Sequence, residues 1–385
     1  MIYLDNAATT LIKPLSVGRA MLRAMQECAS PGRGGHRAAM RAAETVYRCR
    51  ETAAALFHVP DPAQIVFTMN ATHGLNIAIN SLVKENTRVL ISGYEHNAVT
   101  RPLRQRGAEI LAADSPLFDS NACLRAFEEK IGQAELGVCT MVSNVFGYIL
   151  PIREIAALFR ERGVPLIVDA SQAAGVLDLD FEELGAAFVA MPGHKGLFGP
   201  QGTGLLLCGD AGVPLLSGGS GSDSLLQEMP AYLPDRLEAG THNVPGIAGL
   251  LAGMEYVREQ GTEKIMAHEH ALLRTAVQEL RDIDGAELFT GPEGTQSGVL
   301  SLRIRGTDCD EAAQQLSEKG ICLRSGLHCA PLAHKSAGTL ETGTLRMSFS
   351  PFISDREVKT CCAAIRELFA GDGRGKQLQA SSPLA

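Results

Sequence analysis

The sequence predicts an α/β fold, with a large domain built on a mostly parallel sheet between helices and a smaller C-terminal α/β domain. Three observations carry this. From about residue 65, short β-rich runs alternate with helix-period segments, the pattern of strand–helix–strand units that cover both faces of a sheet. After residue 242 the pattern changes to long helical stretches followed by a shorter series of strands and helices. The chain has 385 residues, 45% of them apolar and 20% charged, which is more than one hydrophobic core organises and ample material for two.

Taken in order, IVFTM (65–69) reads as a strand, followed by a helix through HGLNIAINSLV, then strands RVLISGY and EILAAD. The helix NACLRAFEEKI precedes the strand LGVCTMVS, and the helix IREIAALFRERG precedes PLIVDA; FVAM and GTGLLLC complete the sheet. Helices over VPGIAGLLAGMEYVREQG and EKIMAHEHALLRTAVQELRDI then lead to GVLSLRIRG, a helix in DEAAQQLSEKG, ICLRS, GTLRMSFS and a last helix SDREVKTCCAAIRELF. These patterns place the large domain at 13–255 and the small one at 256–370 together with residues 1–12. The tail, 371–385, lacks periodicity and reads as disordered.

The 35 basic against 43 acidic residues give a net charge of −8, which argues against nucleic-acid or anionic-membrane partners and points to small molecules or proteins. No window approaches 18 uninterrupted apolar residues and the N-terminus lacks a signal-peptide layout, so a cytosolic protein is expected. Ten cysteines are scattered without a C-x-x-C pair, and no metal site is expected. Most read as small buried hydrophobes, and Cys361 and Cys362, neighbours in a helical pattern, are not expected to pair. There is no phosphate-loop lysine motif, and GGSGSDS lacks the third glycine of a dinucleotide fingerprint.

Ligands of such sheets bind beyond the carboxyl ends of the strands. Polar and glycine-rich segments stand there: NATHG (70–74), YEHN (94–97), SNVFG (143–147), VDASQ (168–172) and PGHKGLFGPQGTG (192–204). Read alone, Lys195 in the last segment is a solvated lysine, Asp169 is a helix N-cap for a segment beginning at Ser171, and His96 is a structural histidine. Together they say more. A carboxylate at one strand end and a lysine 26 residues later at the next are what pyridoxal phosphate requires, a Schiff-base lysine and an acidic partner for the ring nitrogen. Its phosphate suits the amides of Ala71 and Thr72 at a helix N-terminus, and His96 suits the face of its ring.

The strings YLDNAATT, FTMNAT, EHNAV, SNVFG, VDASQ, GHKGLFGPQGTG, EAGTHNVPGIAGL, RSGLHCAP and GTLRMS, in that order from residue 3 to about 350, resemble the class V aminotransferases of pyridoxal-phosphate fold type I, and within them the cysteine desulfurase and selenocysteine lyase branch. The resemblance implies that Lys195 carries the cofactor and shuttles the Cα proton. It implies that Asp169 holds the pyridine nitrogen protonated, that His96 stacks on the ring, and that Asn144 and Gln172 stand near its phenolic oxygen or the substrate carboxylate. Ala71, Thr72 and His194 would contact the phosphate, and Thr241 would reach the phosphate of a neighbouring subunit in a homodimer. Arg346 would clamp the substrate carboxylate, a task suited to a guanidinium, with Asn6 and Ala7 closing that pocket.

Cys329 separates desulfurase chemistry from ordinary transamination. The resemblance implies that its thiolate, on a mobile loop and with its pKa lowered by Arg324 and His328, takes the sulfur of L-cysteine as a persulfide and leaves alanine. The motifs leave a selenocysteine lyase or another carbon–sulfur lyase open. The set Lys195, Asp169, His96, Arg346 and Cys329 argues against an inactive sulfur-relay scaffold. The chain departs from the family pattern at Pro192, where relatives carry a phosphate-binding Ser or Thr, at His73 in place of Glu, and at Met141 in place of His. The segment between Cys329 and Arg346 is short, like that of compact-loop branches, which makes sulfur transfer to an acceptor less direct. GRGGHR (32–37) reads either as a turn with a solvated arginine or, by resemblance, as Arg33 near the dimer interface.

Overall fold

The computed structural model describes residues 1–32 and 34–372, so Arg33 and the tail from 373 onwards lie outside the described residues. A two-residue strand β1 (Ile2–Tyr3) opens the chain, and two helices that the strand–helix alternation did not announce follow, α1 (Leu15–Glu27) and α2 (Arg37–Phe57). The His36 side chain caps α2 by accepting from the Ala39 amide.

The large sheet and its helices run β2 (Ile65–Thr68), α3 (Ala71–Leu82), β3 (Arg88–Ser92), α4 (Asn97–Gln105), β4 (Glu109–Ala113), α5 (Ser120–Lys130), β5 (Leu136–Thr140), α6 (Ile152–Glu161), β6 (Leu166–Asp169), α7 (Phe181–Leu184), β7 (Phe188–Pro192) and β8 (Gly204–Cys208). Polar side chains start several of these helices: Asn70 accepts from the His73 amide at 2.9 Å, Asp119 from Ala122 at 2.8 Å and Asp180 from Glu183 at 2.9 Å. The strand order is β2-β8-β7-β6-β5-β3-β4. Strands β3 to β7 are mutually parallel, and β5 to β8 are apolar runs buried along their whole length. Strand β8 alone runs against its neighbours, because residues 193–203 return the chain from β7 without a crossover helix. The chain steps from β3 outward to β4 and then back across β3 to β5, which opens a crevice at the carboxyl ends of β3 and β5.

The two predicted long helices are α8 (Val244–Gln260) and α9 (Thr262–Leu280), separated by Gly261 at φ +79°. Beyond them, β9 (Ala286–Phe289), β10 (Val299–Ile304), α10 (Cys309–Glu318), β11 (Ile321–Cys322), α11 (Pro331–Ser336), β12 (Leu345–Ser348) and α12 (Asp355–Asp372) build the small domain. Its antiparallel sheet has the order β12-β10-β9, and the short, half-exposed β9 was not among the expected strands. Leu4 joins its core with Leu272, Leu300, Met347, Val358 and Ile365, because β1 pairs in parallel with β11 and draws the N-terminus onto this domain. Helix α12 extends to Asp372, one turn position beyond the expected start of the tail. All ten cysteines are free, Cys361 and Cys362 included. Among the described residues no helix is long and apolar enough to cross a membrane.

Candidate active site

The carboxyl ends of five strands converge on a cavity of about 190 Å³. After β2 come Ala71 and Thr72, after β3 His96, after β5 Asn144, after β6 Asp169 and Gln172, and after β7 His194 and Lys195; Ala7, Arg324, His328 and Arg346 complete the wall. The residues expected at the strand ends are therefore brought together in space. Asn6 faces an adjoining pocket of about 40 Å³ that Lys195 and Gln172 also line.

Close backbone contact fixes the lysine. Gly196 and Gly175, the latter at φ +83°, approach so nearly that a Cβ on either would strike the other's segment, at Ala174 O or Gly196 O. Only glycine allows that approach, and it seats Lys195 beside the segment that follows Asp169. Burial lowers the Lys195 pKa from 10.5 to about 8, with Arg346 and Arg324 adding to the effect and Asp169 opposing it. Asp169 is 3% exposed, and its Oδ1 accepts from the Ser171 amide at 2.9 Å. That is the expected cap contact, but no helix follows: the chain turns, and the carboxylate stays on the cavity wall.

His96 does serve as a helix cap, with Nδ1 accepting from the Ala98 amide at 3.0 Å. An accepting Nδ1 puts the ring proton on Nε2, and burial, with Lys195 and the arginines, lowers the pKa to about 4 despite Asp169, so the ring is neutral. His194 is likewise held to about 4, chiefly by burial, and its Nδ1 lies 3.1 Å from Thr9 Oγ1. The Ala71 and Thr72 amides, at the start of α3, donate to no protein acceptor among the described residues.

The N-terminal segment straps the site. Asn6 donates to Ser348 O at 2.9 Å, the Ala7 amide to Ser348 Oγ at 2.8 Å, and Gln172 donates back to Ala7 O at 2.9 Å. Thr10 donates to the carbonyls of His194 and Lys195. Arg346 is 1% exposed; Nη1 donates to Asn144 O at 2.8 Å and Nη2 to Asp5 Oδ1 at 2.6 Å, while Nε is buried without a partner. Asp5, Thr9, Thr10 and Ser348 were not singled out from the sequence; the first three lie within YLDNAATT, so only their contacts across the chain distinguish them.

Cys329 is the one exposed thiol of the ten and directly follows the wall residue His328. Both residues have positive φ, +48° and +57°, and their carbonyls are pinned: Asn144 Nδ2 donates to His328 O and the Asn97 amide to Cys329 O, each at 2.8 Å. The loop is thus tethered to the start of α4 and not free over its length. His328 does not play its expected cationic part. It is buried, its Nε2 meets Thr344, its ring stacks on His334, and burial followed by repulsion from Arg346 lowers its pKa to about 2. Of the two groups expected to lower the thiol pKa, Arg324 remains; it lines the cavity without an ion-pair partner among the described residues.

Thr241 lies elsewhere. It is exposed and lines an open groove of about 540 Å³ with Tyr47, Arg50 and His242. Pro192 lines the cavity with no hydroxyl to offer, Met141 is buried in the core beneath, and the partly buried His73 accepts from the Met69 amide at 3.2 Å.

Residues 2–360 match the aminotransferase class V family. The chain belongs to the class V aminotransferases. Among curated relatives, a probable cysteine desulfurase of Methanothermobacter thermautotrophicus is 33% identical over 97% of this chain and 95% of its own length. A probable cysteine desulfurase of Pyrococcus abyssi is 31% identical over 96% and 94%. Among solved structures, the apo cysteine desulfurase of Thermococcus onnurineus superimposes with a TM-score of 0.89 at 30% identity, covering 96% of this chain and 95% of that one. The Escherichia coli cysteine desulfurase CsdA, in an S-sulfonic acid form, gives 0.84 at 27% identity over 96% and 95%. The class V fold, with its large mixed sheet and small C-terminal domain, is the architecture predicted from the sequence.

Proposed function

We propose that this class V protein is a pyridoxal 5'-phosphate-dependent cysteine desulfurase, converting L-cysteine to L-alanine with the sulfur held as a persulfide on Cys329 and passed to an acceptor. The observation that carries the reading is the position of the one exposed thiol, next to a wall residue of the cavity that holds Lys195 and Asp169. The residues fit the cofactor by their own chemistry. A lysine of pKa about 8 offers an unprotonated amine to an aldehyde, a buried carboxylate suits a protonated ring nitrogen, and free amides at a helix N-terminus suit a phosphate.

When bound, the cofactor supplies an electron sink for the substrate's Cα–H and Cβ–S bonds. Lys195 moves the Cα proton, neutral His96 offers its ring to the cofactor face, and Asn144 and Gln172 orient polar groups at its rim. Ala71, Thr72 and His194 serve the phosphate. Arg346 and Arg324 receive the substrate carboxylate, with Asn6 and Ala7 holding the strap that closes over it. The Cys329 thiolate then takes the sulfur. Thr241 serves the site of a second copy, since it lies outside this chain's own cavity.

Replacing Cys329 by Ser tests the reading. The variant is expected to keep the yellow colour of bound cofactor while alanine formation from L-cysteine falls roughly a hundredfold and protein-bound persulfide disappears. Undiminished alanine and sulfide release would sink the persulfide route.

A further inference from the structure

Arg346 sits where three chain segments meet. Its backbone bridges Arg324 on one side, with Arg346 N donating to Arg324 O at 2.7 Å, and the neighbouring Ser348 bridges Asp5 on the other. The guanidinium is 1% exposed, and a buried cation needs a compensating partner. Asp5 is its one anionic partner among the described residues, at 2.6 Å. The other charge at hand, Arg324, is of the same sign and has no carboxylate of its own. Of the guanidinium nitrogens, Asp5 and the Asn144 carbonyl each occupy one, while Nε is buried with no acceptor.

We propose that Asp5 is a positioning residue for substrate: it holds the Arg346 guanidinium by Nη2, against the repulsion of Arg324, so that the remaining N–H donors of the guanidinium stay oriented at the cavity wall for the substrate carboxylate. This rests on the reading of Arg346 as the carboxylate anchor. Asp5 belongs to the N-terminal strap, whose next residues bond Ser348, Gln172 and the Lys195 carbonyl. Seating the strap and aiming the arginine are therefore one event. A fixed guanidinium loses less freedom on binding than a mobile one, so the effect belongs to affinity for the carboxylate and not to the bond-breaking steps.

The test compares the cofactor-loaded full chain with its Asp5→Asn and Asp5→Glu variants. Titrations with L-alanine, which carries the carboxylate, and with ethylamine, its carboxylate-free counterpart, are read from the cofactor absorbance. For Asp5→Asn the expected result is about a tenfold weaker binding of L-alanine and a similar rise in KM for L-cysteine, with kcat changed less than about threefold. Ethylamine binding stays within about twofold of wild type, and Asp5→Glu, which keeps the charge, recovers part of the alanine affinity. Equal or tighter alanine binding by Asp5→Asn would overturn the proposal, as Asp5 would then compete with the substrate. So would a parallel loss of ethylamine affinity, the mark of general disorder in the site. A wild-type protein inert toward L-cysteine would count against the desulfurase reading and still leave the two titrations to decide on Asp5.

Discussion

Lys195 shows how position sets reactivity. An ordinary lysine side chain is almost wholly protonated at neutral pH, whereas a pKa of about 8 leaves about one molecule in ten with a free amine. The shift is driven by loss of water around the ammonium, with two arginines pushing the same way and two carboxylates, Asp169 and Asp5, resisting. Because the unprotonated amine is the attacking form, cofactor-free protein mixed with pyridoxal phosphate is expected to condense faster as pH rises, with a midpoint near 8. Stopped-flow absorbance across pH 6 to 10.5 measures this, and a midpoint above 10 would contradict the burial argument. At this scale the sequence was informative where a side chain stands at a strand end, as for Lys195, Asp169 and His96. It was blind where the property depends on what surrounds the side chain. His328 reads as a cation from its neighbours in RSGLHCAP, yet the fold turns it inward against Thr344 and His334, and burial strips its charge. Asp5 stood unmarked in YLDNAATT because its partner lies 341 residues away.

Helix α9 carries a carboxyl group with no counterpart. Glu269 is 6% exposed, packs against Gly298 and faces the small pocket shared with Asn6, Ser348 and Lys195; no protein group among the described residues donates to it. Burial raises its pKa from 4.5 to about 8. Between those values the folded chain keeps a proton that the unfolded chain releases, so stability falls as pH rises through that window. The neutral replacement Glu269→Gln removes the penalty. Its stability advantage over the parent is expected to grow from pH 5 to pH 8, reaching about 1–3 kcal/mol, as read by thermal or urea unfolding at each pH. An advantage independent of pH would refute the assignment. Element by element, the alternating segments of the large domain were legible because buried parallel strands leave plain apolar runs. Helices α1 and α2 were missed because they precede the first such run. Strand β9 hid because it is short, at a sheet edge and half exposed. The reversal of β8 was not foreseen, although a glycine-rich link without helical period has no means of crossing over.

For the molecule as a whole, Leu11, Ile12, Leu15, Leu22, Met25, Met40 and Tyr47 are large apolar side chains left exposed in and around the first two helices, and Thr241 lies on the groove that Tyr47 also lines. On the proposed role of Thr241 at the site of a second copy, sedimentation is expected to give about twice the chain mass of 40.9 kDa. A monomer that binds cofactor at full strength would contradict this. The division into a large and a small domain was readable from the change of pattern after residue 242, and residues 1–12 were assigned to the small domain, but the parallel pairing of β1 with β11 was not foreseen, because two-residue strands have no periodicity to detect. That pairing has a consequence for synthesis. Ile2 pairs with Ile321 and Asp5 with Ser348, so residues 2–5 leave the ribosome long before the residues they pair with. A nascent chain that has reached Cys329 already carries its thiol and its lysine, yet lacks both Arg346 and Ser348, the residue to which Asn6 and Ala7 bond. The proposed sulfur carrier and the proposed carboxylate anchor are thus both in hand only once the chain has passed residue 346.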